Sequence, residues 1–277
     1  MIRKILLQLA AAGILAACAA QPDIVRVSPP GATENLRLQS TEVLFWDDAT
    51  RADRFRRMED FFPGIEVAPA PRPRTLPSGA PLPACAAAAL DAYLARGDVA
   101  GIMVLQDGRV RYEKYGLGFG PEQRWTSFSM AKSVTSTLLG AALKDGKIAS
   151  LSDPVSRYVP GLAGSEYDAV TIEQLLTMTS GVAWNEDYTD PNSDVARLFA
   201  LEPDPGQSQV VTLMKRLPRE APAGEKWVYK TGETNLIGEL VEKATGMTLA
   251  EYAKRKVVDP AGLAGRMFWQ TELTGGN

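Results

Sequence analysis

The spacing of apolar positions changes along this chain, and each change predicts an element. Residues 85–96 repeat apolar positions at helical intervals and stop near Gly97. Residues 99–106 and 109–116 alternate apolar and polar around Asp107-Gly108, which predicts a β-hairpin with a tight turn. A helical period returns over 129–145 and stops at Gly146. Thr171-Ile172-Glu173-Gln174 has the form of a helix start, with Thr171 as its cap. Further helices are predicted at 193–201, 208–216, 233–245 and 248–256.

Upstream the pattern is less regular. Val43-Leu44-Phe45-Trp46 precedes a helical segment through residue 62, in which Phe55, Met58, Phe61 and Phe62 recur at helical spacing and are expected to pack on the main domain. Residues 63–83 hold Pro63, Pro69, Pro71, Pro73, Pro77, Pro81 and Pro83, a density that argues against a regular helix or a central strand and predicts an extended wrap or linker. Residues 19–40 are polar around Pro29, Pro30 and Gly31 and predict a tether. The expected organisation is therefore a targeting segment (1–17), a tether with an N-terminal helix and a Pro-rich linker (18–83), and one main domain (84–277).

Hydrophobic residues make up 45% of the 277, enough for a substantial core. The formal net charge of −3 gives no basic face, so nucleic acid is not an expected partner. The chain has no His, which removes Ser-His-Asp and Cys-His schemes and HExxH zinc sites from the residues in hand, and leaves Lys, Tyr, Asp or Glu among them as a general base. Arg3 and Lys4 precede an apolar stretch at 5–17 of signal-peptide length. It ends Leu15-Ala16-Ala17-Cys18, which resembles a bacterial lipobox. That resemblance implies a lipidated Cys18, a membrane anchor and an exported, periplasmic protein held at the outer membrane; the alternative is an ordinary secretory signal with a chance Cys. Cys85, beside Ala86 to Ala89, is expected to be a small buried apolar residue, with a reactive thiol as the alternative.

The candidate chemistry starts at Ser129-Met130-Ala131-Lys132. A spacing of three at a helix start places both side chains on one face, near free backbone N–H groups and the positive end of the helix dipole. Serine needs a base to act as a nucleophile, and a lysine can serve when burial lowers its pKa. Lys132 is expected to be buried, because Val134, Leu138 and Ala141 can face inward and no acidic residue lies close in sequence.

Trp125-Thr126-Ser127-Phe128-Ser129-Met130-Ala131-Lys132-Ser133 is similar to the nucleophile segment of the serine β-lactamase and penicillin-binding-protein superfamily. Four further segments strengthen the match to its class C-like esterase and 6-aminohexanoate-dimer (nylon-oligomer) hydrolase branch. They are the run from Thr171 to Gly181, Asp187-Tyr188-Thr189-Asp190-Pro191, the run from Trp227 to Asn235, and the run from Val257 to Leu263.

The resemblance implies an α+β fold with an antiparallel sheet flanked by helices plus a helical domain. It implies Ser129, Lys132 and Tyr229 as catalytic residues, with Tyr229 the second base. Tyr188 would close over substrate, or else be a surface aromatic. Thr231, where many relatives have Asn, would contact substrate, cap the following helix, or do both; this departure shifts weight from β-lactams toward esters and linear amides. Trp184 would be a pocket wall or a packing residue. Lys230, pointing away from Tyr229, is expected to be solvated. No metal or organic cofactor is implied, and the expected substrate is a small-molecule amide or ester. The family places a third motif on a late strand; Thr274-Gly275 is not expected to be that motif, because no strand pattern precedes it at the right depth and too few residues follow the helix end at Pro260 to Leu263. The expectation is that the late sheet strands are missing from this chain. Three readings stay open: an acyl-transfer hydrolase of amides or esters, a DD-peptidase or β-lactamase, and an inactive lipoprotein acting as a binding protein.

Overall fold

The structure, a computed structural model, describes residues 22–276. The segment expected to target and anchor the chain, Cys18 included, lies outside the described residues.

The first described element is a strand, β1 (Ile24–Val27), and the next is an eleven-residue helix, α1 (Ala32–Glu42). Both correct the expected tether. Ala32 and Leu36 are buried, so a segment of polar average composition carries an apolar stripe that docks on the domain. A 3₁₀ turn (Val43–Phe45) leads to α2 (Asp48–Arg54), whose N-terminus is capped by Asp47 accepting from Thr50 N at 2.7 Å. The strand β2 (Gly64–Val67) follows, inside the segment expected to be an irregular wrap. It is the central strand of its sheet. Pro63 and Pro69 flank it and none falls within it, so every ladder N–H survives.

The helix α3 (Ala84–Leu94) and the hairpin β3 (Gly101–Gln106) and β4 (Arg109–Tyr115) come next. The hairpin turns through Asp107 at φ 52° and Gly108 at φ 71°, the two positive angles a two-residue turn of this hand requires. Tyr112 OH and Lys114 Nζ both donate to Asp91 on α3, at 2.8 and 2.5 Å, which fixes the helix across one face of the hairpin. Cys85 is exposed on α3, not buried. That helix is alanine-rich on all sides, so composition does not distinguish its inner face.

The helical body comprises α4 (Ala131–Lys144), α5 (Ile172–Leu176), α6 (Asp194–Ala200), α7 (Gln209–Met214), α8 (Thr231–Thr245) and α9 (Leu249–Ala253). Thr171 caps α5 in a full capping box with Gln174, and Thr248 does the same for α9 with Glu251. The helix starting at 249 runs on through a π-helical turn (Lys254–Val258) into α10 (Asp259–Ala261), and Gly262 ends it at φ 68°. The last strand, β5 (Met267–Gln270), pairs with β2, giving an antiparallel sheet in the order β1-β2-β5.

The main core lies among α4 to α9, around Leu138, Leu175, Leu213, Leu236 and Leu240. Ile65, Val67, Ala250 and Val258 form a smaller cluster that ties the sheet to α9. The result is an α+β fold in which residues 24–67 are joined to the main domain, because β2 sits between β1 and β5.

Candidate active site

Ser129 lies in a 3₁₀ turn (Phe128–Met130) that runs directly into α4. Phe128 holds φ at 43°, a region that bulky L-residues avoid, and such angles persist only where the surroundings enforce them. The support comes from α2. The Phe55 ring meets Phe128 edge-on at 5.1 Å and Trp125 at 5.9 Å, and Thr126 N donates to Phe55 O at 2.9 Å. The N-terminal segment is thus the platform of the Ser129 turn. The turn ahead of a fourteen-residue helix also places Ser129 toward the positive end of its dipole.

Lys132 stands one turn on, and its Nζ donates to Ser129 Oγ at 3.0 Å. The side chain is half-exposed, which corrects the expected burial. The buried positions of α4 begin at Thr135, whereas its first turn lies at the surface beside Met130, which is 69% exposed.

Tyr229 arrives from a hundred residues away and donates through its OH to Ser129 Oγ at 2.9 Å; Lys132 Nζ lies 5.1 Å from the Tyr229 ring centroid. The segment carrying Tyr229 is held along the 178–181 turn. Gly224 N donates to Thr179 O at 2.7 Å, Val228 N to Met178 O at 3.2 Å and Lys230 N to Met178 Sδ at 3.4 Å. The structure therefore brings Ser129, Lys132 and Tyr229 together. Ser129 Oγ accepts from both partners, and either partner, when unprotonated, is within reach to take its proton. This geometry suits a hydroxyl that loses its proton as it attacks a carbonyl.

Trp184, Tyr188 and Thr231 gather around a residue that no sequence motif singles out, Glu186. Its Oε2 accepts from Trp184 Nε1 and from Thr231 N at 2.9 Å; its Oε1 accepts from Tyr188 OH at 2.6 Å and from Thr231 Oγ1. Tyr188 is half-buried, and desolvation and then its bond to Glu186 hold its phenol well above the usual range. Trp184 is buried and packs against Gly232, where an added Cβ would lie 2.9 Å from its ring and 2.5 Å from Met214 Sδ. Thr231 does not cap the helix with its hydroxyl: α8 begins at Thr231 itself, and the carboxylate of Glu186 takes the Thr231 N–H. An acidic group at that N-terminus also complements the dipole.

One further expectation is corrected. Lys230 is fully buried beside Glu233, not solvated. The strand ahead of Thr274-Gly275 is β5 of the β1-β2-β5 sheet, and Thr274 N donates to Glu272 Oε1 at 2.8 Å. The Lys230–Glu233 pair had a sequence signal, opposite charges three apart at a helix start. Glu186 had none: Trp184 and Tyr188 flank it two residues to either side, but the partner that gives it a place in the site, Thr231, arrives from 45 residues on.

Residues 86–273 match the family described as Beta-lactamase. The chain is 32% identical over 154 residues to the 6-aminohexanoate-dimer hydrolase of Paenarthrobacter ureafaciens, covering 54% of this chain and 39% of that protein. It is 29% identical over 175 residues to a beta-lactamase of Pseudomonas fluorescens, covering 60% of this chain and 45% of that protein. A solved structure described as "Putative 6-aminohexanoate-dimer hydrolase from Bacillus anthracis" superposes with a TM-score of 0.71 at 20% identity, over 83% of this chain and 64% of that one. The chain thus spans less than half the length of the curated relatives it matches.

Proposed function

The chain belongs to the beta-lactamase family, and on that premise we propose that it is a serine hydrolase that cleaves a small amide or ester through an acyl-enzyme on Ser129. One observation carries the reading: a single hydroxyl oxygen takes hydrogen bonds from Lys132 Nζ at 3.0 Å and Tyr229 OH at 2.9 Å. As Ser129 attacks, its proton passes to the member of the pair that is unprotonated, and Tyr229 delivers that proton to the leaving group as its bond to the carbonyl breaks. Water then attacks the acyl ester and the same groups reverse their roles. Thr231 stands where an Asn would hold a substrate amide, and its hydroxyl is engaged by Glu186, which favours esters and linear amides over β-lactams.

The test is active-site labelling with a fluorophosphonate and, separately, a labelled penicillin. Phosphonate should appear on Ser129 by mass spectrometry and vanish in Lys132→Ala. Efficient penicillin labelling would move the assignment to a DD-peptidase or β-lactamase. A folded chain without label would leave the binding-protein reading. We also propose that residues 1–18 export and anchor the chain through Cys18. Incorporation of labelled palmitate, lost in Cys18→Ser, tests this; equal incorporation in both would overturn it.

A further inference from the structure

Directly behind Tyr229 lies a pair of buried charges that hydrolysis at Ser129 does not use. Lys230 and Glu233 have side chains 0% exposed, with Lys230 Nζ 3.7 Å from Glu233 Oε1. Neither Lys230 Nζ nor Glu233 Oε2 has a hydrogen-bond partner among the described residues. Removing an ammonium and a carboxylate from water is strongly unfavourable, and a loose pair offsets it poorly; apolar residues of similar volume would serve stability as well or better. The pair therefore calls for a role other than stability.

Its connections indicate that role. Lys230 is extended, at φ −136° and ψ 104°, so its side chain and that of Tyr229 leave the backbone on opposite sides. Drawing the Lys230 ammonium inward turns the Tyr229 phenol outward, toward Ser129. Glu233 is in turn anchored from the other side of the core. Its Oε1 accepts from Tyr167 OH at 3.1 Å and from Ser180 Oγ, and Arg219 Nη1 holds Ser180 O at 2.9 Å. Arg219 is paired with Glu166 at 2.7 Å. The other elements against α8, namely α4, α5, α6, α7 and α9, present buried apolar side chains such as Leu138, Leu175, Leu198, Met214 and Leu249. The groups that set the state of Glu233 are thus Lys230, Tyr167 and Ser180, with Arg219 and Glu166 behind them.

We propose that Lys230 and Glu233 are positioning residues for Tyr229, and that their ion pair seats the phenol on Ser129. The inference rests on reading Ser129, Lys132 and Tyr229 as a reacting unit. Burial pushes the Glu233 carboxyl up to about 7, against the pull of Ser180, Lys230 and Tyr167. Protonation near neutral pH removes one member of the pair, leaves Lys230 unmatched, and loosens the seat.

The experiment compares the full chain with Glu233→Gln and with the doubly apolar Lys230→Met/Glu233→Leu, which keeps a filled core should the single variant fail to fold. p-Nitrophenyl acetate hydrolysis and fluorophosphonate labelling of Ser129 are followed from pH 5 to 9. The folded double variant is expected to keep KM within about twofold and to lose roughly tenfold or more in kcat and labelling rate, since a small misplacement of a reacting group can cost up to about a hundredfold. Glu233→Gln is expected to lose the acid limb near pH 7. A folded double variant with wild-type kcat, or an unchanged pH profile in Glu233→Gln, overturns the proposal. Wild-type chain that takes no label on Ser129 instead overturns the hydrolase reading and this inference with it.

Discussion

Replacing Glu186 separates the charge of that carboxylate from its shape. Oε2 accepts from two N–H groups, those of the Trp184 indole and the Thr231 backbone, while Oε1 accepts from two hydroxyls, those of Tyr188 and Thr231. An N–H can only donate, whereas a hydroxyl can turn and accept. Glu186→Gln therefore fits one way round, with its carbonyl oxygen toward Trp184 and Thr231 N and its amide nitrogen toward the hydroxyls. All four contacts survive as neutral bonds. Charge-assisted bonds exceed neutral ones by about 1 kcal/mol each, and solvent screens the half-exposed Glu186, so a loss of about 1–2 kcal/mol is expected. Glu186→Ala leaves both N–H donors without an acceptor, at about 1–3 kcal/mol each, for a total of about 2–6 kcal/mol. Urea unfolding followed by tryptophan fluorescence and circular dichroism measures both. The reasoning fails if alanine is no more destabilising than glutamine. The same holds if the glutamine variant loses as much as the alanine variant.

Three other outcomes are expected. Lys132→Ala and Tyr229→Phe should each slow Ser129 phosphonylation by roughly 10²–10⁴-fold, the usual worth of a positioned acid or base, while leaving the urea midpoint near wild type; unchanged labelling would exclude them from the chemistry. Gly181 sits at φ 74° with Ala221 O only 2.1 Å from where a Cβ would be, so Gly181→Ala should lose about 3 kcal/mol or more, read as a lower midpoint; a wild-type midpoint would contradict the close approach. Glu233 has its carboxyl raised from 4.5 to about 7, so the folded state binds that proton more tightly than the unfolded chain. Its contribution is then complete below about pH 4.5 and lost as pH rises through about 7. Urea midpoints in this window should fall less steeply in Glu233→Gln than in wild type, and identical slopes would refute the assignment.

Much of the local structure is legible in the chain. Asp107-Gly108 declares its turn, and Thr171 with Gln174 declares a capping box, because each depends on hydrogen bonds closed within a few residues. Ser129 and Lys132 are likewise a local pair, one helical turn apart. Tyr229 is not, and is found in the sequence only through its resemblance to relatives. Composition over a window misleads where single positions decide. The proline-dense stretch hides β2 because Gly64–Val67 escapes the prolines, and the polar stretch before it hides α1 because Leu36 faces the core.

The sequence by itself determines where helices begin, where the hairpin turns, that none of these 277 residues is a histidine, and that a hydroxyl and an amine share one helix face. Tertiary structure alone decides the rest. It places Phe55 under Phe128, closes Glu186 onto Thr231, buries Lys230 against Glu233 and leaves Lys132 half in water. Burial and charge pairing depend on which remote segments arrive at the same point, and no spacing within the chain encodes that meeting.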